Sequence, residues 1–177
     1  MYADNTLTPK EATRLCALGI LADGPIAYAE LASGVRHFVT HVMGPSLDVL
    51  GTSIELLKHE GLVTPISGQA DKAVLEITAE GMSELKMLLK ARIKTAENDL
   101  NKLVIALKFR FMELLDADER LLQLDLLSET FENELARLEE LRAYHADDSV
   151  HLVEWLDREI EDLERRLNWL NAKRERV

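Results

Sequence analysis

The stretch SLDVLGTSIELLKHEGLV, Ser46 to Val63, decides the fold. Ser46 can cap a helix after the break at Gly44-Pro45. Leu47, Leu50, Ile54 and Leu57 then recur at helical spacing, and Gly61 stops the run. Leu62-Val63 opens a short β segment. The rest of the segment is mostly polar, and its one formally positive side chain is Lys58, set against Asp48, Glu55 and Glu60. The segment has the outline of a recognition helix running into a β-wing, with an acidic surface.

Working outward, the flanking residues supply the other parts of a winged helix-turn-helix. Thr8-Pro9-Lys10-Glu11 opens a first helix: Thr8 caps, Pro9 takes the first helical position, and Glu11 completes a capping box. Leu15, Leu18, Ile20 and Leu21 give its buried face, and Gly24-Pro25 ends it. Leu31, Val35, Phe38 and Val42 predict a second helix from about Ile26 to Val42. After the third helix, Leu62-Val63 and Val74-Leu75-Glu76-Ile77 read as the two strands of a wing around the polar tip Ser67 to Lys72. Three helices followed by a hairpin is the order of a winged domain; periodicity alone also permits a small α+β domain of another kind.

All eight glycines and all four prolines lie at or before Gly81. The remainder, free of both, is expected to be long helices. The fold class is therefore mainly α: a winged helix-turn-helix over 1–90 with a two-stranded wing, then long, coiled-coil-like helices over 91–177. One stripe, Leu85, Leu89, Ile93, Ala96, Leu100, Leu103, Leu107, Phe111 and Leu114, predicts a continuous helix of about 36 residues, about 54 Å long at 1.5 Å per residue. Asp116-Ala117-Asp118 marks a corner, followed by Leu124, Leu127, Phe131, Leu135, Leu138 and Leu141. His145 to Asp148 marks the next, with Asp148 or Ser149 as cap. Val153, Leu156, Ile160, Leu163, Leu167 and Leu170 then form a seam spaced like a coiled coil. Three such helices can cover one another in one chain, but the seam and the long first helix favour pairing with a second copy. Leu103, Leu107 and Phe111 join the seam as the expected dimerisation residues.

Composition narrows the function. Of 177 residues 47% are hydrophobic and 30% charged, as in a globular chain, and the net charge is −11. Residues 1–90 hold 7 Lys+Arg against 11 Asp+Glu, and the second half 14 against 21. An acidic chain resists nonspecific phosphate binding, so any nucleic-acid contact must be local. The lone Cys16 suits a reducing cytoplasm and reads as a small core residue. The opening MYADNTLTPKEATR lacks the basic-then-apolar pattern of a signal peptide, and no window approaches the roughly 20 apolar residues of a membrane span. No phosphate loop, nucleophile elbow or Cys/His catalytic pattern occurs. No enzymatic activity, cofactor or metal is expected. His37 and His41, one turn apart, lack a third ligand in sequence.

Base reading does not require positive charge. Ser46, Asp48, Val49, Thr52, Ser53 and Glu55 are the groove candidates, with Ser46, Thr52 and Ser53 preferred. Phosphate contacts then fall to Arg36 and His37 on the second helix, Lys58 at the end of the third, and Lys72 at the wing tip. The acidic second half is expected to point away from DNA, beyond the ~8–10 Å reach of screened charge. Phe109, Phe111, Trp155 and Trp169 are candidates to stack a flat effector or, more simply, to pack an interface.

Several stretches together resemble the PadR family of transcriptional regulators. They are Leu18-Gly19-Ile20-Leu21-Ala22-Asp23-Gly24-Pro25, Glu30-Leu31, Ile54 to Val63, and Leu75-Glu76-Ile77-Thr78-Ala79-Glu80-Gly81. Glu113 to Glu119 and Trp155-Leu156-Asp157 through Trp169-Leu170 look like the helical dimerisation region of its longer members, which include quorum-sensing virulence activators. The resemblance implies a cytoplasmic homodimer binding double-stranded DNA at a palindromic operator, with repression the commoner outcome. It also implies a small aromatic or drug-like effector in some members. Two residues depart from the family pattern. Gly51 stands where a tyrosine is common in the recognition helix, at a cost of about 1 kcal/mol of helix stability against alanine. Tyr28 precedes Ala29 where a glycine-tyrosine pair is usual. The competing reading is a helical protein-interaction module whose winged domain does not bind DNA.

Overall fold

The structure is a computed structural model that describes residues 6–44, 51–93, 99–146 and 150–177. Its elements are α1 (Pro9–Ala22), β1 (Ile26–Ala27), α2 (Tyr28–Met43), α3 (Gly51–His59), β2 (Val63–Ser67), β3 (Val74–Ile77), α4 (Ala79–Leu89), α5 (Asp99–Phe111), α6 (Ala117–Tyr144) and α7 (Val150–Arg174). They fall into two compact units, one holding α1 to α5 and ending at Leu115, the other holding α6 and α7.

Local chemistry sets the first unit's helix starts. The Thr8 hydroxyl accepts from Glu11 N–H, and Glu11 Oε2 accepts from Thr8 N–H at 2.7 Å, closing the capping box. That backbone bond is the main cause holding the Glu11 carboxyl below its ordinary value. α1 is the centre of the core: Leu15, Leu18 and Leu21 are buried, and α2, α3, α4, α5 and β3 all pack on it. Cys16 lies in the same core, where burial pushes its thiol up to about 12 and leaves it an inert, small apolar group.

The wing sheet has three strands, not two, in the order β1-β3-β2, all antiparallel. Ile26 and Ala27, expected in the second helix, pair instead with Leu75 and Val74, and Tyr28 N–H donates to Ala73 O. The central strand β3 would otherwise leave one row of backbone groups unpaired. Pro65 sits on the edge strand β2, where its missing N–H costs no ladder bond, beside a register shift between Pro65 and Ser67.

The continuous helix expected from Leu85 to Leu114 does not form. α4 ends at Leu89, its last turn tightened by bonds from Lys90 N–H to the carbonyls of Lys86 and Met87. Arg92 then bridges to Thr6. α5 packs against α1, α2 and α4, which buries Leu103, Val104, Leu107 and Phe111. A straight helix would hold those side chains in water; folding back removes them from it. The compact first unit therefore extends beyond the 1–90 boundary expected from sequence. Ala96 and the Asp148 or Ser149 cap lie outside the described residues.

The second unit is an antiparallel helical hairpin. Asp116 and Glu119 form the capping box that starts α6, with Glu119 N–H donating to Asp116 Oδ1 at 2.8 Å. Arg142 near the end of α6 pairs with Asp157 near the start of α7, and Arg174 at the far end of α7 pairs with Asp125 at 2.7 Å. The Arg142 side-chain hydrogen bond holds the Asp157 carboxyl below its ordinary value. Every seventh residue of α7, Leu156, Leu163 and Leu170, is buried, while Val153, Ile160 and Leu167 are half-buried. α6 contributes Leu124, Leu127 and Phe131 to the same core; Leu141 is exposed.

Candidate nucleic-acid interface

α3 is anchored from three sides. Ile54 and Leu57 are buried, and α3 packs on α1 and β2. Just past its end, Glu60 pairs with Arg14 of α1 at 2.8 Å, and the same guanidinium reaches Glu84 of α4 at 3.0 Å. Gly61 turns the chain at φ 74°, and Leu62 N–H returns to Leu57 O. The Thr78 hydroxyl bonds to Gly61 O and Leu62 O and accepts from Gly81 N–H, so one side chain ties the end of α3 to the start of α4. Gly81 is required there, because a Cβ would overlap Leu62 O. These contacts give α3 a fixed direction and leave Glu55, Leu56 and His59 exposed.

The phosphate candidates divide into two kinds. Arg36 and His37 are exposed on α2, and Lys72 is exposed in the turn Ala70–Lys72, which packs against α2. The bond from Tyr28 N–H to Ala73 O holds the end of this turn at the start of α2. Among the described residues, neither Arg36 nor Lys72 forms an ion pair. Lys58 differs: it is partly buried, its Nζ lies 2.9 Å from Glu55 Oε2 and 5.7 Å from the centre of the Tyr28 ring. Tyr28 begins α2, so this contact joins the end of α3 to the start of α2. His41 Nδ1 lies 2.7 Å from His37 O, and the two rings are 4.1 Å apart. No group of three metal-ligating side chains occurs among the described residues.

Thr52 and Ser53 lie in the first turn of α3; Ser46, Asp48 and Val49 lie outside the described residues. The outward Leu56 and His59 and the Arg14 brace were not anticipated. Leu56 breaks the polar-out rule, and Arg14 finds its acids 46 and 70 residues away, beyond any local spacing signal.

The remaining expected site residues fall elsewhere. Leu103, Leu107 and Phe111 are buried within the first unit of a single chain, with the Phe111 ring pressed on Gly19. On α7, Trp155 is 53% exposed and Trp169 47%. They stand fourteen residues apart, about 21 Å along the helix axis, so one small flat molecule does not span both within a chain. Lys173 lies over the Trp169 ring at 5.6 Å. Phe109 is half-buried on α5. Among the described residues no helix is long and apolar enough to cross a membrane.

A family model described as "Putative AphA-like transcriptional regulator" matches residues 2–173. Comparison with curated proteins finds no significant match. Among solved structures, that of Bacillus subtilis PadR is similar at 15% identity, covering 96% of each chain with a TM-score of 0.41. Bacillus subtilis PadR in complex with operator DNA is similar at 19% identity, covering 92% of this chain and 97% of that one, with a TM-score of 0.37.

Proposed function

This chain belongs to the AphA-like family of transcriptional regulators, and from that premise we propose that it binds double-stranded DNA in a sequence-specific manner as a cytoplasmic homodimer. The observation that carries the reading is the braced α3, held by Arg14 and Thr78 with its outer face open, in a unit that also exposes Arg36, His37 and Lys72. α3 enters the major groove with Ser46, Thr52 and Ser53 near base edges. Arg36, His37, Lys58 and Lys72 contact phosphates. Two copies place their α3 helices about 34 Å apart on one face of a palindromic operator. α6 and α7 pair the two copies, through the exposed Trp155 and Trp169 and the half-buried Val153, Ile160 and Leu167 beside the covered Leu156, Leu163 and Leu170. Occupied DNA excludes polymerase, so the regulator represses. A small aromatic effector shifts this only by preferring one of the DNA-competent and DNA-incompetent dimers.

A second reading, a protein-interaction module that has given up DNA, is favoured by the engagement of Lys58 with Glu55 and by the net charge of −11. One titration separates them. Labelled DNA from upstream of the gene is bound at low and physiological salt against scrambled competitor. DNA recognition gives a clear preference whose affinity falls with salt at roughly 0.9 per phosphate neutralised. Equal binding of both sequences at both salts supports the interaction module instead.

A further inference from the structure

On the DNA-binding reading of α3, on which this inference rests, we infer that Glu55 reads a cytosine and that its ion pair with Lys58 makes phosphate contact conditional on that reading. Glu55 stands on the open face of α3 with 58% of its side chain exposed, next to Leu56 and one turn before His59. An ionised carboxylate only accepts hydrogen bonds. In a groove rimmed by phosphates it is repelled unless a base offers a donor. The cytosine N4 amino group is the donor that suits a glutamate there.

Lys58 connects this choice to affinity. Its Nζ touches both Glu55 oxygens, at 3.0 and 2.9 Å, and lies over the Tyr28 ring. In this state the ammonium is neutralised by its neighbour and adds little to phosphate attraction. Exposed ion pairs three residues apart on a helix are weak, so the pair opens readily when something better is available to both members. Cytosine takes the carboxylate, and the released ammonium takes a phosphate. On other sequences the carboxylate keeps the lysine and the pair stays closed. An acidic recognition helix thereby suppresses binding to random DNA, a repulsive element of specificity.

Selection from a pool of randomised duplexes by the full chain and by Glu55→Gln tests this. The wild-type protein is expected to enrich a C·G pair at one fixed position of each half-site, and Glu55→Gln to replace it with A·T, the pair that glutamine reads. On scrambled DNA, Glu55→Gln should steepen the salt dependence by roughly 0.9 per subunit, an extra loss of about threefold per subunit for a fourfold rise in salt. In a Lys58→Gln background the same change should leave that slope unaltered. Identical base preferences for wild type and Glu55→Gln overturn the cytosine assignment while leaving DNA binding intact. An unchanged slope for Glu55→Gln overturns the coupling to Lys58. A wild-type protein that enriches no sequence overturns the DNA-binding reading, and this inference with it.

Discussion

Gly19 of α1 and Phe111 at the end of α5 are interlocked: a Cβ on Gly19 would overlap the Phe111 ring. The missing side chain is the space into which α5 closes. Gly19→Ala is expected to destabilise the protein by about 1–3 kcal/mol through overpacking, read as a lower urea midpoint. Phe111→Leu should recover part of that loss in the double variant, because the two residues share one volume. Additive losses would show that the contact does not limit α5 packing.

Thr78 supports α3 from behind through its bonds to Gly61 O, Leu62 O and Gly81 N–H. Thr78→Val keeps the shape and removes all three. The expected cost is about 1–2 kcal/mol, from one lost helix cap and the lost bond to Gly61 O, since Leu62 O keeps its bond from Thr78 N–H. Thr78→Ser should retain most of the stability. Urea unfolding of the two variants checks this; equal losses would assign the effect to the methyl group.

Lys108 is buried, and its ammonium donates to Leu89 O at the end of α4. Burial lowers its pKa from 10.5 to about 8. At pH 7 the group is charged in both folded and unfolded chains, and folding carries the full desolvation cost. Between about pH 8 and 10.5 the unfolded chain holds the extra proton, so stability rises with pH, by up to about 3 kcal/mol in all. Lys108→Met lacks this dependence. The stability of Lys108→Met relative to wild type should therefore fall as pH rises from 7 to 10, measured by urea unfolding at each pH. A constant difference would place the folded-state pKa near its ordinary value.

Trp155 and Trp169 expose large apolar area on α7, joined by exposed Leu122 and Leu141 on the same hairpin. On the proposed pairing through α7, the wild-type chain should sediment as a dimer at micromolar concentration and the Trp155→Glu, Trp169→Glu variant as single chains, with helix content retained. A double variant that stays dimeric would move the pairing surface elsewhere.

Much of this molecule is written locally. Thr8 with Glu11, and Asp116 with Glu119, set helix starts through bonds spanning three residues. Gly24, Gly44 and Gly61 mark turns at positive φ. Ile54 and Leu57 fix the buried side of α3, and Lys72 falls at the wing tip where the polar run predicts it. The exposure of Arg36 and His37 follows from the periodicity of α2, and that of Lys72 from its place in the polar turn; contact with DNA remains the proposal made for them. That Lys58 is engaged by Glu55 and rests over Tyr28 is less legible in the sequence, because the second contact joins helices 30 residues apart.

The tertiary structure alone decided where α4 stops. No glycine or proline marks Lys90 to Arg92, and the apolar stripe passes through them without a change of period. A stripe states that a face must be buried; it does not state against what. The surfaces of α1 and α2, with the space left by Gly19 for Phe111, supplied a partner within the same chain, so the helix broke and α5 folded back. Ile26-Ala27 became a strand for the same reason: two residues carry no pattern of their own, and the open edge of β3 determined their state. Short-range hydrogen bonds need only neighbours in sequence, whereas burial depends on which surfaces the folded chain brings within reach.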